Sequence, residues 1–432
     1  MFDAVAYINE PRWHTMSLGL DRISELLNGL GDPQKRLRFV HVAGTNGKGS
    51  TCVCMASILQ AAGYRTGLFT SPYIECFEER IRINGTPISP EELRVVTLRV
   101  RDVAEAMADH PTEFELMTAV AFAYFAEQGC DVVVAEVGLG GRLDSTNCID
   151  TVEVSLIAPI SYDHCALLGD TLAQIATEKA GIIKDGVAVA SAPQELAARQ
   201  VLEETAKSHH APIHFVDPSA VEGSNDSFSY RGVQGLSLSL RAGYQRFNAA
   251  LALEGCFVLR DRGWAVPDEA IRAGLAAAQW PGRFELVHSA PDIIIDGAHN
   301  KHAIEHLVEE LEDRYPLLRI IFCMGVMADK DYRSMLEMLA PLAKAFICYS
   351  PPLDRALPAK KLAAQACAVL ARQEPGAADH GCLVESAASA AEAVSKVSAL
   401  VNEHDVVCFC GSLYGIASVK EALSMEGLLQ ES

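Results

Sequence analysis

The chain has 432 residues, of which 50% are hydrophobic and 21% are charged. That length exceeds what a single hydrophobic core usually supports, so two or more domains are expected. The formal net charge of −20 argues against a nucleic-acid partner, because affinity for polyanions rests largely on clustered lysine and arginine. Any anionic ligand must therefore be held by a local basic site.

Cysteine usage and hydropathy indicate the cellular setting. The thirteen cysteines are scattered, include no CxxC pair and leave one unpaired, which favours a reduced, cytoplasmic protein over a disulfide framework. Cys52 and Cys54, like Cys408 and Cys410, alternate with Val or Phe, a pattern typical of buried small hydrophobic residues rather than metal ligands. The N-terminal sequence lacks a signal-peptide pattern, and no apolar run is long enough to span a bilayer, so no membrane partner is expected.

In the first part of the chain, short β-branched runs alternate with longer helical patterns. Strands are predicted at residues 38–43, 64–69, 131–137, 152–158 and 187–190, and helices at residues 48–62, 91–108 and 113–127. This order is typical of βαβ units wound into a mainly parallel sheet with flanking helices. A polar region with glycine and serine, residues 221–235, then interrupts the pattern before a helix predicted at residues 244–260.

A second alternating series follows the segment QWPGRFELVHSAPD, residues 279–292, which contains two prolines. Strands are predicted at residues 293–295, 319–324, 345–349 and 405–410, and helices at residues 302–312 and 332–339. We place the domain boundary near residue 286, which gives domains of residues 1–286 and 287–432.

The stretch HVAGTNGKGST, His41 to Thr51, lies between a predicted strand and a predicted helix, as a phosphate-binding loop requires. Its glycines allow close backbone approach, amides at the helix N-terminus can meet phosphate oxygens, and Lys48 supplies a positive charge. Val42 stands where the usual motif has its first glycine, and Gly49 stands where it has a metal-holding hydroxyl. The alternative is a helix-capping turn with an incidental lysine.

Two further clusters follow predicted strands. In EVGLGGRLDSTN, Glu136 ends an apolar run, which places a carboxylate at the C-terminal edge of the sheet, where open α/β sheets bind ligands. The alternative is a glycine-rich turn with solvated charges. His164 could reach the same edge, although a lone histidine is more often an ordinary surface or core residue. By pattern alone, Lys179 is a solvated helix charge.

These motifs together carry a family resemblance. HVAGTNGKGST, TSPYIECFEERIRING, EVGLGGRLDSTN, EKAGIIK, PGRFE, IDGAHN, DKDY and CGSLYG occur in the order found in the folylpolyglutamate synthase and dihydrofolate synthase family of the Mur-ligase superfamily. The resemblance spans nearly the whole chain. It implies an α/β fold with an N-terminal P-loop ATPase-like parallel-sheet domain and a smaller C-terminal Rossmann-like domain.

The resemblance also implies an activity. Members are ATP-dependent ligases that add L-glutamate to dihydropteroate, forming dihydrofolate, and to reduced folates, forming folylpolyglutamates. The substrate carboxylate takes the γ-phosphoryl group of ATP, and the amine of L-glutamate attacks the acyl phosphate. The alternatives are a folylpolyglutamate synthase only, a Mur-type cell-wall amino-acid ligase and an ATP-hydrolysing switch. A monomer is expected.

The site residues implied by the resemblance fall into four groups. The residues matched to ATP binding are Gly44, Thr45, Asn46, Gly47, Lys48, Gly49, Ser50, Asn248, Arg283 and Asp296. Two Mg²⁺ ions are implied, with Ser71, Glu136 and His164 as ligands. Lys179 matches the lysine that the family carries as a carbamate, and His299 is matched to a position near the reacting phosphate; Lys48, Lys179, His164 and His299 are therefore the implied catalytic residues. The residues matched to the pterin-bearing substrate are Phe114, Glu115, Arg142, Leu143 and Asp144, with the segment from Leu18 to Ile23.

Overall fold

A computed structural model of the protein describes residues 2–13, 19–372 and 382–429. The chain divides into two compact units. The first consists of Met1–Ser239 and Tyr244–Trp280, and the second of Leu240–Gly243 and Pro281–Ser432.

The first unit is built on a sheet with helices on both faces. Its strands, in the order β4-β3-β2-β5-β1-β6-β7-β8, are β1 (Phe39–Ala43), β2 (Thr66–Phe69), β3 (Ile81–Ile83), β4 (Thr86–Pro87), β5 (Val132–Glu136), β6 (Val152–Ile157), β7 (Val189–Ser191) and β8 (Ile213–Phe215). Six strands run parallel, and β3 with β4 forms an antiparallel edge. Every residue of β1 and β5 is buried, as expected for parallel strands covered on both faces.

Most helices of the first unit precede or connect these strands, and the last two follow them. They are α1 (Ala4–Ile8), α2 (Asp21–Gly29), α3 (Lys48–Ala61), α4 (Pro90–Ala104), α5 (Glu113–Glu127), α6 (Cys165–Leu168), α7 (Leu172–Ala180), α8 (Leu196–Ser208), α9 (Gln245–Asp261) and α10 (Asp268–Ala277). The predicted helix at 113–127 has the observed bounds, because Thr112 caps it through a hydrogen bond to the amide of Glu115. None of the described helices has both the length and the apolar character needed to cross a membrane.

Residues 221–235, predicted only as an interruption, form a small antiparallel sheet. Its strands are β9 (Glu222–Ser224), β10 (Ser227–Tyr230) and β11 (Val233–Leu236). Four of its apolar side chains are buried, namely Phe228, Tyr230, Val233 and Leu236. These strands were not predicted, because their apolar residues are separated by glycine, serine and charged residues that suggest a loop.

The second unit contains a six-stranded sheet of order β12-β13-β17-β14-β15-β16. Its strands are β12 (Glu285–His288), β13 (Asp292–Ile295), β14 (Ile320–Met324), β15 (Ala343–Cys348), β16 (Leu383–Ser386) and β17 (Val406–Cys410), and its helices are α11 (Lys301–Arg314), α12 (Tyr332–Leu339), α13 (Ala359–Leu370), α14 (Ala390–Leu400) and α15 (Ile416–Met425). All strand pairs are parallel except β12 with β13. The α/β fold class is confirmed. Cys52, Cys54, Cys408 and Cys410 are buried free thiols, as their pattern predicts.

Candidate active site

The turn between β1 and α3 has a path that requires glycine at two positions. Gly44 has φ +145° and Gly47 has φ +81°, conformations that residues with a side chain rarely adopt. A Cβ atom on Gly44 would lie 2.6 Å from the Cβ atom of Ala158, and one on Gly47 would lie 2.4 Å from Asn248 Oδ1. Helix α3 begins at Lys48 directly after this turn, so its first amide groups are placed where a phosphate is favoured.

Thr45 and Asn46 fix this loop to the segment that follows β6. The amide of Thr45 donates to the carbonyl of Pro159 over 2.8 Å, and the Thr45 hydroxyl donates to the carbonyl of Ser161 over 3.0 Å. In return the Ser161 amide donates to Thr45 Oγ1 over 3.0 Å, while Asn46 Nδ2 donates to Ser161 Oγ over 3.4 Å. The segment after β6 therefore holds the loop in place through the backbone of Thr45 and the polar side chains of Thr45 and Asn46.

The first turn of α3 is closely packed, which explains why Gly49 lacks a hydroxyl. A Cβ atom on Gly49 would lie 2.6 Å from Cζ2 of Trp280, so the indole occupies the space of a serine or threonine side chain. Ser50 is buried in the same turn, and Asn248 is buried on α9, where its amide donates to Gln245 Oε1 over 2.8 Å. A metal ligand at position 49 is excluded by packing.

Lys48, Glu136 and Ser71 lie together at the carboxyl edge of the first sheet. Lys48 Nζ lies 3.9 Å from Glu136 Oε1 and donates to the carbonyl of Thr45 over 3.2 Å. The amide of Ser71 donates to Glu136 Oε2 over 3.1 Å. Glu136 is buried, because β5 runs between β1 and β2 and brings its last residue level with Val42. The alternative interpretation, a turn whose charges are solvated, is therefore wrong for Glu136.

Lys179 is buried beside the phosphate loop, so its interpretation as a solvated helix charge was wrong as well. Only 4% of the residue is exposed, and its ammonium donates to the carbonyl of Gly44 over 2.7 Å. Desolvation, reinforced by the positive charge of Lys48, lowers the pKa of Lys179 to about 7, although the carboxylates of Asp163 and Asp144 oppose this change. The structure thus places a lysine that is neutral in part at physiological pH next to the phosphate loop.

His164 lies in the loop after β6, directly before α6. Its backbone is left-handed, with φ 50°, and its side chain is 41% exposed. Its imidazole Nε2 lies 3.9 Å from Asp163 Oδ1. Within residues 2–13, 19–372 and 382–429, no group of three or more His, Cys, Asp or Glu side chains is arranged to hold a metal ion. The metal-ligand role of His164 stays a prediction.

Phe114 and Glu115 lie in the first turn of α5. A Cβ atom on Gly138 would lie 2.4 Å from Cζ of Phe114, so the loop after β5 passes against the Phe114 ring. Glu115 Oε2 accepts the amide of Thr112 over 2.8 Å and Arg22 Nε over 3.1 Å. Glu115 Oε1 is buried and has no hydrogen-bond partner within the described residues.

The loop after β5 carries Arg142, Leu143 and Asp144. The Arg142 guanidinium, half exposed, pairs with Glu178 Oε1 over 2.9 Å, and Leu143 is half-buried. Asp144 is buried, which raises its pKa, and it accepts both the amide and the hydroxyl of Thr146 over 3.0 and 2.6 Å. These contacts hold the loop together from within. Leu18 of the predicted pterin segment lies outside the described residues.

Three predicted residues meet at the end of β13 in the second unit. Asp296 Oδ2 accepts the amide of Phe284 over 2.7 Å, and Asp296 Oδ1 accepts the amide of Ala298 over 2.7 Å. His299 Nδ1 donates to the carbonyl of Gly297 over 2.7 Å. A Cβ atom on Gly297 would lie 3.0 Å from Arg283 Nη1, so the guanidinium lies against this turn. The structure therefore groups Arg283, Asp296 and His299 locally.

Comparison with known proteins decides the family. The description "Mur ligase middle domain" matches residues 42–253, and "Mur ligase, glutamate ligase domain" matches residues 282–413. The dihydrofolate synthase/folylpolyglutamate synthase of Bacillus subtilis (strain 168) is 40% identical over 376 residues, which cover 83% of this chain and 87% of that protein. The chain belongs to the dihydrofolate synthase/folylpolyglutamate synthase family. It is accordingly an ATP-dependent ligase of the Mur-ligase superfamily.

Other members of this ligase family match over nearly the full length. The Escherichia coli (strain K12) dihydrofolate synthase/folylpolyglutamate synthase is 32% identical over 97% of this chain and 94% of its own. A solved structure of E. coli FolC in complex with DHPP and ADP has a TM-score of 0.87 at 30% identity and covers 99% of both chains. A Mycobacterium tuberculosis folylpolyglutamate synthase complexed with ADP and AMPPCP has a TM-score of 0.86 at 30% identity, covering 98% of this chain and 99% of that one.

In this ligase, the sequence interpretation missed residues that hold the site in place. Trp280 closes the space beside Gly49, and Ser161 anchors the phosphate loop. His41 is fully buried, which lowers its pKa to about 3, and its neutral ring donates from Nε2 to Thr146 Oγ1 over 2.8 Å. Trp280 precedes the PGRF motif and His41 begins the phosphate-loop motif. Their positions next to these motifs were the one sequence signal that could have identified them as site residues.

Proposed function

We propose that this ligase adds L-glutamate to dihydropteroate, forming dihydrofolate, and to reduced folates, forming folylpolyglutamates. The observation that carries the proposal is the buried Lys179 ammonium bonded to the phosphate loop beside Lys48 and Glu136. The names of the Bacillus subtilis and Escherichia coli relatives include both activities. The Lacticaseibacillus casei relative, 38% identical over 78% of this chain and 82% of its own, is named folylpolyglutamate synthase alone.

The proposed reaction consists of two displacements. A carboxylate oxygen of the pteridine substrate attacks the γ-phosphorus of ATP, and the bond from that phosphorus to the ADP oxygen breaks. The amine nitrogen of L-glutamate then attacks the acyl carbon and loses a proton, and inorganic phosphate leaves. Such phosphoryl transfers depend on positioning and charge stabilisation rather than on covalent help from the protein. Lys48 and the first amides of α3 are proposed to provide both at the phosphates.

Glu136 and Ser71 suit a Mg²⁺ ion at this edge of the sheet. Mg²⁺ prefers hard oxygen ligands, usually one or two carboxylates together with water and substrate phosphates. The Glu136 carboxylate is buried and held by the Ser71 amide, with Lys48 as the nearby cation, so it is an oriented oxygen ligand. When bound, Mg²⁺ would neutralise charge on the transferred phosphoryl group. His164 is proposed to lie near a second Mg²⁺.

Lys179 is proposed to carry a carbamate. Its neutral amine would attack the carbon of CO₂ and lose one proton, which converts a buried cation into an anion. Burial lowers the pKa of Lys179 to about 7, so the neutral form needed for this addition is abundant near pH 7. The same burial would protect the carbamate from water.

The other proposed contacts follow the family match. Asn248, Arg283 and Asp296 are proposed to bind ATP, with His299 near the reacting phosphate. The pterin is proposed to lie against Phe114, with polar contacts to its edge from the segments of Glu115 and of Arg142 to Asp144. A planar ring system needs such an aromatic wall together with a few polar groups. We also propose a cytoplasmic monomer.

A substrate panel tests the proposed function. The purified protein is given ATP, Mg²⁺ and L-glutamate with dihydropteroate, tetrahydrofolate or a UDP-muramoyl peptide, and ADP release and product mass are measured. Glutamylated products are expected with the first two substrates and none with the third. Turnover of tetrahydrofolate alone would restrict the protein to folylpolyglutamate synthesis. No turnover of either pteridine would contradict the folate assignment, and ADP release without any carboxylate would favour a switch.

A further inference from the structure

The loop that carries Arg142 and Asp144 packs tightly on the helix that carries Lys179. The Arg142 amide donates to the carbonyl of Glu178 over 2.7 Å. A Cβ atom on Gly141 would lie 2.7 Å from that carbonyl oxygen, and one on Gly181 would lie 2.3 Å from the Cβ atom of Arg142. The two backbones are therefore closer than residues with side chains would allow at either glycine.

Asn147 spans this contact. Its Nδ2 atom donates to the carbonyl of Arg142 over 3.1 Å and to the carbonyl of Gly181 over 3.0 Å. Only 8% of Asn147 is exposed, and Oδ1 is buried with no hydrogen-bond partner in the described part of the chain. The described bonds of the Asn147 side chain thus join the loop to the end of the helix.

The helix end that Asn147 contacts also carries Lys179, which binds the phosphate loop. Gly181 is the C-cap residue of α7, two positions after Lys179, and the Lys179 ammonium binds the carbonyl of Gly44. The Arg142 and Glu178 side chains also connect loop and helix, but the guanidinium is 54% exposed, and exposed ion pairs contribute little to rigidity. The buried amide of Asn147 is the better-placed restraint.

We propose that Asn147 is a positioning residue that holds Lys179 at the phosphate loop by fixing the C-terminal end of α7 to the loop that carries Arg142 and Asp144. This inference rests on the proposed function, since it assumes that Lys179 takes part in ligation. Without the amide, the carbonyl groups of Arg142 and Gly181 lose their shared donor, and the last turn of α7 can move with Lys179 attached. Turnover should then fall, while nucleotide binding should persist because Pro159 and Ser161 anchor the phosphate loop independently.

The test uses two substitutions of Asn147 and a matched control. Asn147→Ala removes both donors, and Asn147→Ser can keep one. Lys184→Met is the control, because Lys184 Nζ donates to the Asn147 carbonyl over 3.2 Å and so restrains the same loop without bonding Arg142 or Gly181. For each protein, kcat per folded molecule with dihydropteroate, the KM for ATP, the Kd for ADP and the thermal unfolding midpoint are measured.

We expect Asn147→Ala to lower kcat at least tenfold, with the KM for ATP and the Kd for ADP within twofold of wild type. The kcat of Asn147→Ser should lie between those of Asn147→Ala and the wild type. Lys184→Met should keep kcat within twofold of wild type. A residue that only stabilises the fold would lower the unfolding midpoint without changing kcat per folded molecule. Unchanged kcat in Asn147→Ala, or an equal loss in Lys184→Met, overturns the proposal.

If Asn147→Ala does not fold, Asn147→Ser decides the question, since wild-type kcat in that variant also overturns the proposal. The wild-type measurement separates this inference from the proposed function. A wild-type protein that turns over no pteridine contradicts the function, whereas an active wild type with equally active Asn147 variants contradicts only the role of Asn147.

Discussion

The ammonium of Lys179 lies 2.7 Å from the carbonyl oxygen of Gly44, although the two residues are 135 positions apart in the chain. This bond joins the last turn of α7 to the first residue of the phosphate loop. It also explains how a lysine remains 4% exposed beside a second lysine, because its charge has a buried acceptor. Because Lys179 is buried in the folded protein, its ionisation should affect the stability of the fold as the pH changes.

The first prediction concerns stability and pH. Because the pKa of Lys179 is about 7 in the folded protein and 10.5 without the fold, the folded state loses its proton first as the pH rises. Wild-type stability should therefore rise relative to Lys179→Met between pH 7 and 10.5, by at most about 1.4 kcal/mol per pH unit. Unfolding midpoints of both proteins at pH 6.5, 7.5 and 8.5, in buffer free of CO₂, measure this difference. A difference independent of pH would contradict the buried, neutral lysine.

The second prediction concerns the charge of the phosphate loop. Lys48→Ala removes the cation beside Glu136, and we expect kcat to fall at least about 100-fold, the usual effect of removing one group that stabilises transition-state charge. The matched control is Lys35→Ala, whose side chain is 63% exposed and paired with Asp32. Steady-state ADP release is the measurement. Near-normal turnover in Lys48→Ala would show that the loop is misassigned.

The third prediction separates backbone strain from steric exclusion. Gly47 and Gly63 both have positive φ, at +81° and +93°, but a Cβ atom on Gly47 would lie 2.4 Å from Asn248 Oδ1, whereas nothing lies within 4 Å of one on Gly63. Gly47→Ala should therefore abolish high-affinity ATP binding, and Gly63→Ala should only lower stability. Calorimetric titration with ATP and thermal unfolding compare them. Equal ATP affinity in both variants would sink the prediction.

The fourth prediction concerns the ion pair beneath the predicted pterin site. Arg22 Nε lies 3.1 Å from Glu115 Oε2, and the two side chains are 15% and 2% exposed. Arg22→Ala would leave a buried carboxylate without its cation, at a cost of about 3 kcal/mol in the free energy of unfolding. The control is Arg94→Ala on the exposed pair with Glu91, which should leave the unfolding midpoint almost unchanged. Similar unfolding midpoints for the two variants would show that the buried Arg22–Glu115 pair stabilises the fold no more than the exposed pair does.

The sequence predicted some helices and strands and missed others. The bounds of α12 follow from an amphipathic period and the Asp331 cap, and those of α5 follow from an apolar run that begins after the Thr112 cap. Both signals depend on neighbouring positions alone. Strands β10 and β11 were missed, since their buried Phe228 and Leu236 are separated by polar residues. Their burial depends on packing with distant helices, which no local window contains.

The motif residues were likewise predictable only where their structure depends on neighbouring positions. The order of strand, glycine-rich loop and lysine predicted the turn from β1 into α3 correctly, because that geometry is built from consecutive residues. Lys179 was misjudged by pattern, since the sequence around it does not reveal that α7 ends against Gly44. The missing hydroxyl at Gly49 acquired a reason only from Trp280, which is distant in the chain.

The sequence by itself therefore determined the α/β class, the position of the glycine-rich turn before α3 and the family resemblance, because these depend on local patterns and ordered motifs. Only the tertiary structure decided that Lys179 and Glu136 are buried and that Asn147 bridges the loop after β5 and the end of α7. Burial and long-range hydrogen bonds arise when strands and helices distant in sequence pack together. The pKa of Lys179 depends on the same packing, since desolvation is its largest cause.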